Sequence, residues 1–177
     1  QKHVFEKGAL TMPQMADALK ADFAGCEPLR LMLWNKTPRY GNDDDEADAL
    51  MKRVFEALYA AIDGRPNLRG GQYHVDMLPT TCHIYFGAVL GATPDGRKAG
   101  TPVSEGISPV QGADRKGPTA VVKSAAKMDQ LRTGGTLLNM KFLPGTLRGQ
   151  EGIDKLSSLV RSYFRMDGHH IQFNVVD

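Results

Sequence analysis

Cysteine is scarce. Cys26 and Cys82 are the two in 177 residues, too few for a disulfide framework, so a reducing cytoplasm is the expected setting. Neither charge sign dominates. Lys and Arg number 22 against 20 Asp and Glu, a formal net charge of +2. The cations are scattered with no basic run, which gives no reason to expect a nucleic-acid partner. No apolar run reaches the ~18 residues of a membrane span, and there is no signal-peptide pattern. H-E-x-x-H, C-x-x-C and a G-x-G-x-x-G following a strand are all missing, so the common zinc, redox and dinucleotide signatures are excluded.

What remains is ordinary globular material, 41% hydrophobic and 24% charged. Its length suits one domain or a slice of a larger one. Gln1 is not a start methionine, and the final run is strand-like up to Asp177, which reads as a piece cut at both ends. A partial fold would expose strand edges and apolar faces, so the isolated chain is expected to aggregate.

Thr11 suits the cap of a helix from Met12 to Phe23, with Met15, Ala18, Leu19 and Phe23 at helical spacing. Glu27 to Trp34 is a second short helix, broken by Thr37-Pro38 and Tyr40-Gly41-Asn42. The strongest helical pattern follows an acidic first turn at Asp44, Asp45 and Glu46. Ala47, Leu50, Met51, Val54, Leu58 and Ile62 mark one face, and Gly64, Pro66 and Gly70-Gly71 end it. From Tyr73 to Val89 the apolar residues read as one or two buried strands interrupted near Pro79. Thr93-Pro94-Asp95-Gly96 is a turn. Gly100 to Gly117 is a Gly/Pro-rich connection, long enough to be functional or disordered. Pro118 suits a first helical position, with a helix to Met128. Thr136 to Leu143 reads as a strand. Gln150 to Arg165 reads as an amphipathic helix with Ile153, Leu156, Leu159, Val160, Tyr163 and Phe164 inward. His169 to Val176 reads as a last strand. A helical first half and an alternating second half argue for α/β architecture with parallel strands.

Local chemistry is sparse. Gly112 to Gly117 has the opening spacing of a phosphate loop, but Pro118 stands where the lysine must be. His3, His74, His83, His169 and His170 form no ligand spacing, and neighbours such as His169 and His170 point to opposite faces of a strand. Cys82, between Thr81 and His83, reads as a small buried hydrophobe, and Cys26 as a packing or exposed residue. Asp95, Glu105 and Asp114 read as carboxylates that tie down turns rather than move protons.

Several motifs nonetheless stand in one order. They are Thr37-Pro38-Arg39-Tyr40-Gly41-Asn42-Asp43-Asp44, Leu78-Pro79-Thr80-Thr81, Tyr85-Phe86-Gly87, Thr93-Pro94-Asp95-Gly96-Arg97, Gly106-Ile107-Ser108-Pro109 through Asp114, Gly117-Pro118-Thr119-Ala120, Gly134-Gly135-Thr136-Leu137-Leu138-Asn139 and Gly168-His169-His170-Ile171-Gln172-Phe173-Asn174-Val175. Over nearly the whole chain this resembles the C-terminal part of the glycyl radical enzymes, in the branch of glycerol, propanediol and hydroxyproline dehydratases and choline lyase. Pyruvate formate-lyase is a more distant relative.

The resemblance implies part of a ten-stranded α/β barrel surrounded by helices. It implies a lyase that removes water or an amine from a small hydroxylated substrate by radical chemistry. The alternatives are a formate acetyltransferase or a non-catalytic scaffold. It implies a glycyl radical in the complete enzyme, installed by an activating enzyme with an iron–sulfur cluster and S-adenosylmethionine, and a homodimer in the cytoplasm or a bacterial microcompartment. The family's thiyl cysteine sits in G-C-x-E and its radical glycine in R-V-x-G-[YF]. Here Gly25-Cys26-Glu27 departs from the first, and the second does not occur. The chain is therefore expected to bind no cofactor or metal, to supply no catalytic group and to be inactive alone. Its expected contribution is barrel wall. Met77, Leu78, Thr80 and Thr81, near a strand end, are the candidate substrate-lining residues, with strand alternation admitting one parity. Tyr85 is a weaker candidate. Asp95-Gly96-Arg97 and Gly106 to Asp114 are expected to buttress the barrel.

Overall fold

Local signals set most of the helices. The computed structural model describes residues 1–78 and 81–176. After a π-helical turn at Lys2–Glu6, α1 (Met12–Lys20) starts at a capping box. Gln14 N–H donates to Thr11 Oγ1 at 3.3 Å, and Thr11 N–H donates to Gln14 Oε1 at 2.8 Å. The helix stops short of Phe23, because Asp22 and Phe23 take φ of 49° and 59°. That reversal turns the Phe23 ring inward, where it is 1% exposed. α2 spans Glu27–Lys36. α3 spans Asp45–Ile62 and is capped by Asp44, whose Oδ1 accepts from the N–H groups of Glu46 and Ala47.

The segment after Tyr73 overturns the strand reading. Met77 makes a single parallel bridge to Thr136, and Cys82–Val89 is a helix, α4. Its β-branched and aromatic residues suggest a strand locally, yet Ile84, Tyr85, Phe86 and Val89 are all exposed. A short apolar run does not choose its own class. Here the helix lets Gly87 lie against Thr101–Pro102, so close that a Cβ would sit 2.4 Å from the Thr101 carbonyl oxygen. Cys82 accordingly opens a helix rather than occupying a strand.

Downstream the alternation holds. α5 is Pro118–Ala126, β1 Leu138–Phe142, a 3₁₀ turn Pro144–Leu147, α6 Gly149–Arg165 and β2 Ile171–Val175. The bounds of α5, β1 and β2 are shorter than expected, and α6 has one more residue at its start. β1 and β2 pair in parallel, Leu138 opposite Ile171 through Phe142 opposite Val175. A parallel pair needs a crossover, and α6 supplies it. Leu138, Met140 and Phe142 face the same way as Ile171 and Phe173, and pack with Val121, Val122 and Ala125 of α5 and Leu159 and Tyr163 of α6. Leu138 and Val122 are fully buried.

Two compact units emerge, Gln1–Pro38 with Thr81–Val103 and Arg39–Thr80 with Ser104–Asp177. The core just described belongs to the second. The first packs Leu10, Met15, Ala18, Phe23 and Leu33. Two predicted apolar faces are only partly used. On α3, Phe55 and Asp48 are buried, whereas Leu50, Val54, Leu58 and Ile62 are exposed. On α6, Gly152, Leu159 and Tyr163 are buried, whereas Ile153 and Phe164 are exposed.

Candidate functional site

β1 is the spine of the candidate site. Below its first residue, Met77 N–H donates to the Gly135 carbonyl at 2.7 Å and Leu137 N–H donates to the Met77 carbonyl at 3.2 Å. The Met77 segment thus runs parallel beside the β1 entry, with β2 on the other side. The Gly/Pro-rich connection then takes over this edge. Ile107 N–H donates to the Leu137 carbonyl at 3.0 Å, and Asn139 N–H donates to Ser108 Oγ at 2.8 Å. Gly106, at φ 56°, allows the approach, since a Cβ there would lie 2.3 Å from the Leu137 carbonyl oxygen.

Met77 borders an apolar cleft of about 360 Å³, lined also by Tyr40, Leu50, Val54, Phe55 and Ile107. Burial, with the charges of Tyr163 and Asp48 adding to it, pushes the Tyr40 phenol far above its usual pKa. It is therefore a neutral donor, and its hydroxyl donates to the Ile107 carbonyl at 2.7 Å.

Of the predicted substrate-lining residues, Met77 and Leu78 share this unit, Met77 half-buried and Leu78 exposed. Thr80 lies outside the described residues. Thr81 and Tyr85 belong to the other unit. Thr81 caps α4 at φ 51°, so strand parity does not extend to it, and Tyr85 is exposed on α4.

Several polar anchors have no local sequence signature. Asn42 clamps the Gly/Pro-rich connection. Its Oδ1 accepts from the N–H groups of Arg115 and Lys116 at 2.8 and 3.1 Å, and its Nδ2 donates to the carbonyls of Arg39 and Ala113. Asp48, 1% exposed, accepts from Ser124 Oγ at 2.9 Å and from Lys127 Nζ at 2.7 Å. Burial pulls the Lys127 ammonium down, but hydrogen bonds to Asp45, Asp48 and Asp43 outweigh it and hold the pKa above the usual lysine value. Gln130, also 1% exposed, joins the ends of four elements. Its Oε1 accepts from Thr136 Oγ1 at 2.8 Å, Tyr163 OH at 2.8 Å and His169 N–H at 3.0 Å, and its Nε2 donates to the Ala125 carbonyl at 2.9 Å.

Asp95-Gly96-Arg97, expected to buttress the barrel, ties down its own loop in the first unit. Asp95 accepts from Thr93 Oγ1 and from Arg97 N–H. The buried Arg97 guanidinium donates to the carbonyls of Leu90, Gly91, Lys98 and Thr101. His169 and His170 precede β2 rather than sharing it. His3 is buried with its Nε2 3.0 Å from Thr37 Oγ1, and burial, aided by nearby lysines, lowers its pKa. None of these groups forms an acid–base or nucleophilic arrangement.

A parallel strand pair crossed over by a helix, flanked by a third parallel segment and held by a glycine-rich strap, is a β–α–β unit of an α/β fold. Residues 1–87 match the family model described as pyruvate formate lyase-like, and residues 103–177 match the one described as glycine radical. The trans-4-hydroxy-L-proline dehydratase of Clostridioides difficile is 57% identical over 99% of this chain and 22% of its own length. A crystal structure of the hydroxyproline dehydratase from that organism, with trans-4-hydroxy-L-proline bound, superposes with a TM-score of 0.95 at 57% identity, over 98% of this chain and 22% of that one. The glycerol-bound B12-independent glycerol dehydratase of Clostridium butyricum gives 0.93 at 41% identity, over 99% and 22%. The chain belongs to the glycyl radical enzyme family, and spans about a fifth of the length of these relatives.

Proposed function

We propose that this chain is barrel wall in a glycyl radical lyase that eliminates water or an amine from a small hydroxylated substrate, and that it is inactive alone. The observation that carries this reading is the 57% identity and 0.95 TM-score to a dehydratase holding its hydroxylated substrate. Neither G-C-x-E nor R-V-x-G-[YF] occurs in the chain. No chemical step is therefore assigned to its residues. Their task is to shape and dry the pocket, with Met77 and Leu78 as the wall positions nearest β1, and Thr80, Thr81 and Tyr85 as further contacts. A separate activating enzyme with S-adenosylmethionine and an iron–sulfur cluster would install the radical. A homodimeric assembly in the cytoplasm or in a microcompartment completes the proposal. It rests on family membership alone.

A formate acetyltransferase is the second reading, favoured by the pyruvate formate lyase-like match over residues 1–87. The reading frame on either side of the coding sequence separates the possibilities. G-C-x-E upstream and R-V-x-G-[YF] downstream are the expected result. Adjacent cysteines upstream would point to acyl transfer. Neither motif would leave a non-catalytic scaffold.

A further inference from the structure

We infer that Gln130 is a positioning residue for the pocket wall, an inference that rests on the proposed role of Met77 and Leu78. The geometry fixes its amide orientation, because the His169 N–H can only donate, so the atom facing it must be the Gln130 carbonyl oxygen. That one oxygen receives three donors from three places: Thr136 at the entry to β1, His169 at the entry to β2, and Tyr163 on α6. The amide nitrogen ties the same side chain to the end of α5 through the Ala125 carbonyl. Thr136 is in turn the residue bridged to Met77. The height of β1 against β2, and of the Met77 segment against β1, is thus set through one buried oxygen.

The geometry requires an acceptor, and a single apolar side chain would remove the one oxygen that a hydroxyl, a phenol and a main-chain N–H share. A protonated glutamate would keep all three donors on its carbonyl oxygen and give its O–H to the Ala125 carbonyl, whereas an ionised one would set an oxygen against that carbonyl, so the site favours the neutral acid. Glutamate is therefore the informative replacement and methionine the disruptive one. A misplacement of about 1 Å in a reacting geometry costs on the order of a hundredfold in rate, so a slip at Thr136 would be felt at Met77.

The experiment uses the longer polypeptide encoded by the flanking reading frame. Hydrogen exchange is read by mass spectrometry on peptides covering Val75 to Leu78 and Asp129 to Asn139, and kcat and KM are measured per folded molecule on the hydroxylated substrate it turns over. Gln130→Met is expected to speed exchange at Met77 and Leu137 and to lower kcat/KM at least about tenfold; Gln130→Glu is expected to recover both. Should Gln130→Met not fold, Thr136→Val removes one donor and is expected to move exchange and kcat/KM in the same direction by less. Faster exchange confined to Gln130 and its neighbours, with kinetics per folded molecule unchanged, would overturn the inference. So would failure of Gln130→Glu to recover the Met77 exchange. A wild-type polypeptide that turns over no such substrate would defeat the functional reading, while the exchange arm would still decide whether Gln130 sets the Met77 segment.

Discussion

The two compact units are held by different means. The second has a continuous apolar core in which fully buried Val122 and Leu138 meet Tyr163, with Gln130 joining the strand entries. The first has five core residues, Phe23 the bulkiest, and a guanidinium that satisfies four carbonyls of the loop around it. Where strands and helices bury apolar surface together, packing specifies position. Where glycine- and proline-rich chain must be held without a strand partner, a single side chain with several donors does so. Arginine suits this because its fork is planar and always charged.

Substitutions sharpen the contrast. The largest expected effect is in the second unit. Leu138→Ala leaves a cavity in a site with little room to collapse, and should cost about 2–5 kcal/mol in denaturant unfolding. Next, Arg97→Met should cost about 1–3 kcal/mol, because it removes the charged donor that holds four carbonyls of one loop, and Arg97→Lys should recover only part of it. If Arg97→Met left stability unchanged while Phe23→Ala did not, the first unit would be a packing unit like the second, and the distinction would fail. Gly106→Ala is expected to cost about 1–3 kcal/mol through overpacking against the Leu137 carbonyl, measured by the shift in unfolding midpoint.

A pH effect should follow in the second unit. The Lys127 ammonium, then that of Lys123, holds the Asp43 carboxyl below the usual aspartate range. A carboxylate depressed in the folded state contributes stability that is fully present above the unfolded pKa and is lost as pH falls through the folded value. Stability should therefore decline on acidification below about pH 4, and Asp43→Asn should flatten that limb. The smallest effect is at the exposed Glu151–Lys155 pair, 2.6 Å apart on α6. Lys155→Ala should not move the unfolding midpoint measurably.

These differences bear on how much of the molecule is legible in its sequence. α1, α3 and α5 announce themselves through caps, an acidic first turn and a first-turn proline, all local effects. The β1–α6–β2 unit follows from alternating patterns with glycine breaks. α4 is misread because Ile84, Tyr85, Phe86 and Val89 carry strand preference but no burial to enforce it. The stripe of α3 is legible as one face, but its exposure is not, because periodicity marks an apolar face without naming what covers it. Asn42, Asp48 and Gln130 meet partners far along the chain, and no spacing rule reports a donor 33 or 74 residues away. Of the candidate site, the pairing of Met77 with the β1 entry was not legible, because the strand expected from Tyr73 to Val89 is reduced to that one bridge. The strap at Gly106 to Ser108 that flanks it was legible only as an unusual loop.

The most direct test of the central claim is anaerobic. The longer polypeptide, treated with a radical-generating activating enzyme and S-adenosylmethionine, would be examined by electron paramagnetic resonance and then given trans-4-hydroxy-L-proline, glycerol, propanediol or choline. An organic radical signal together with loss of water or amine from one of these substrates is the predicted result. A polypeptide that forms the radical yet transfers an acyl group, or one that forms no radical at all, would contradict the account.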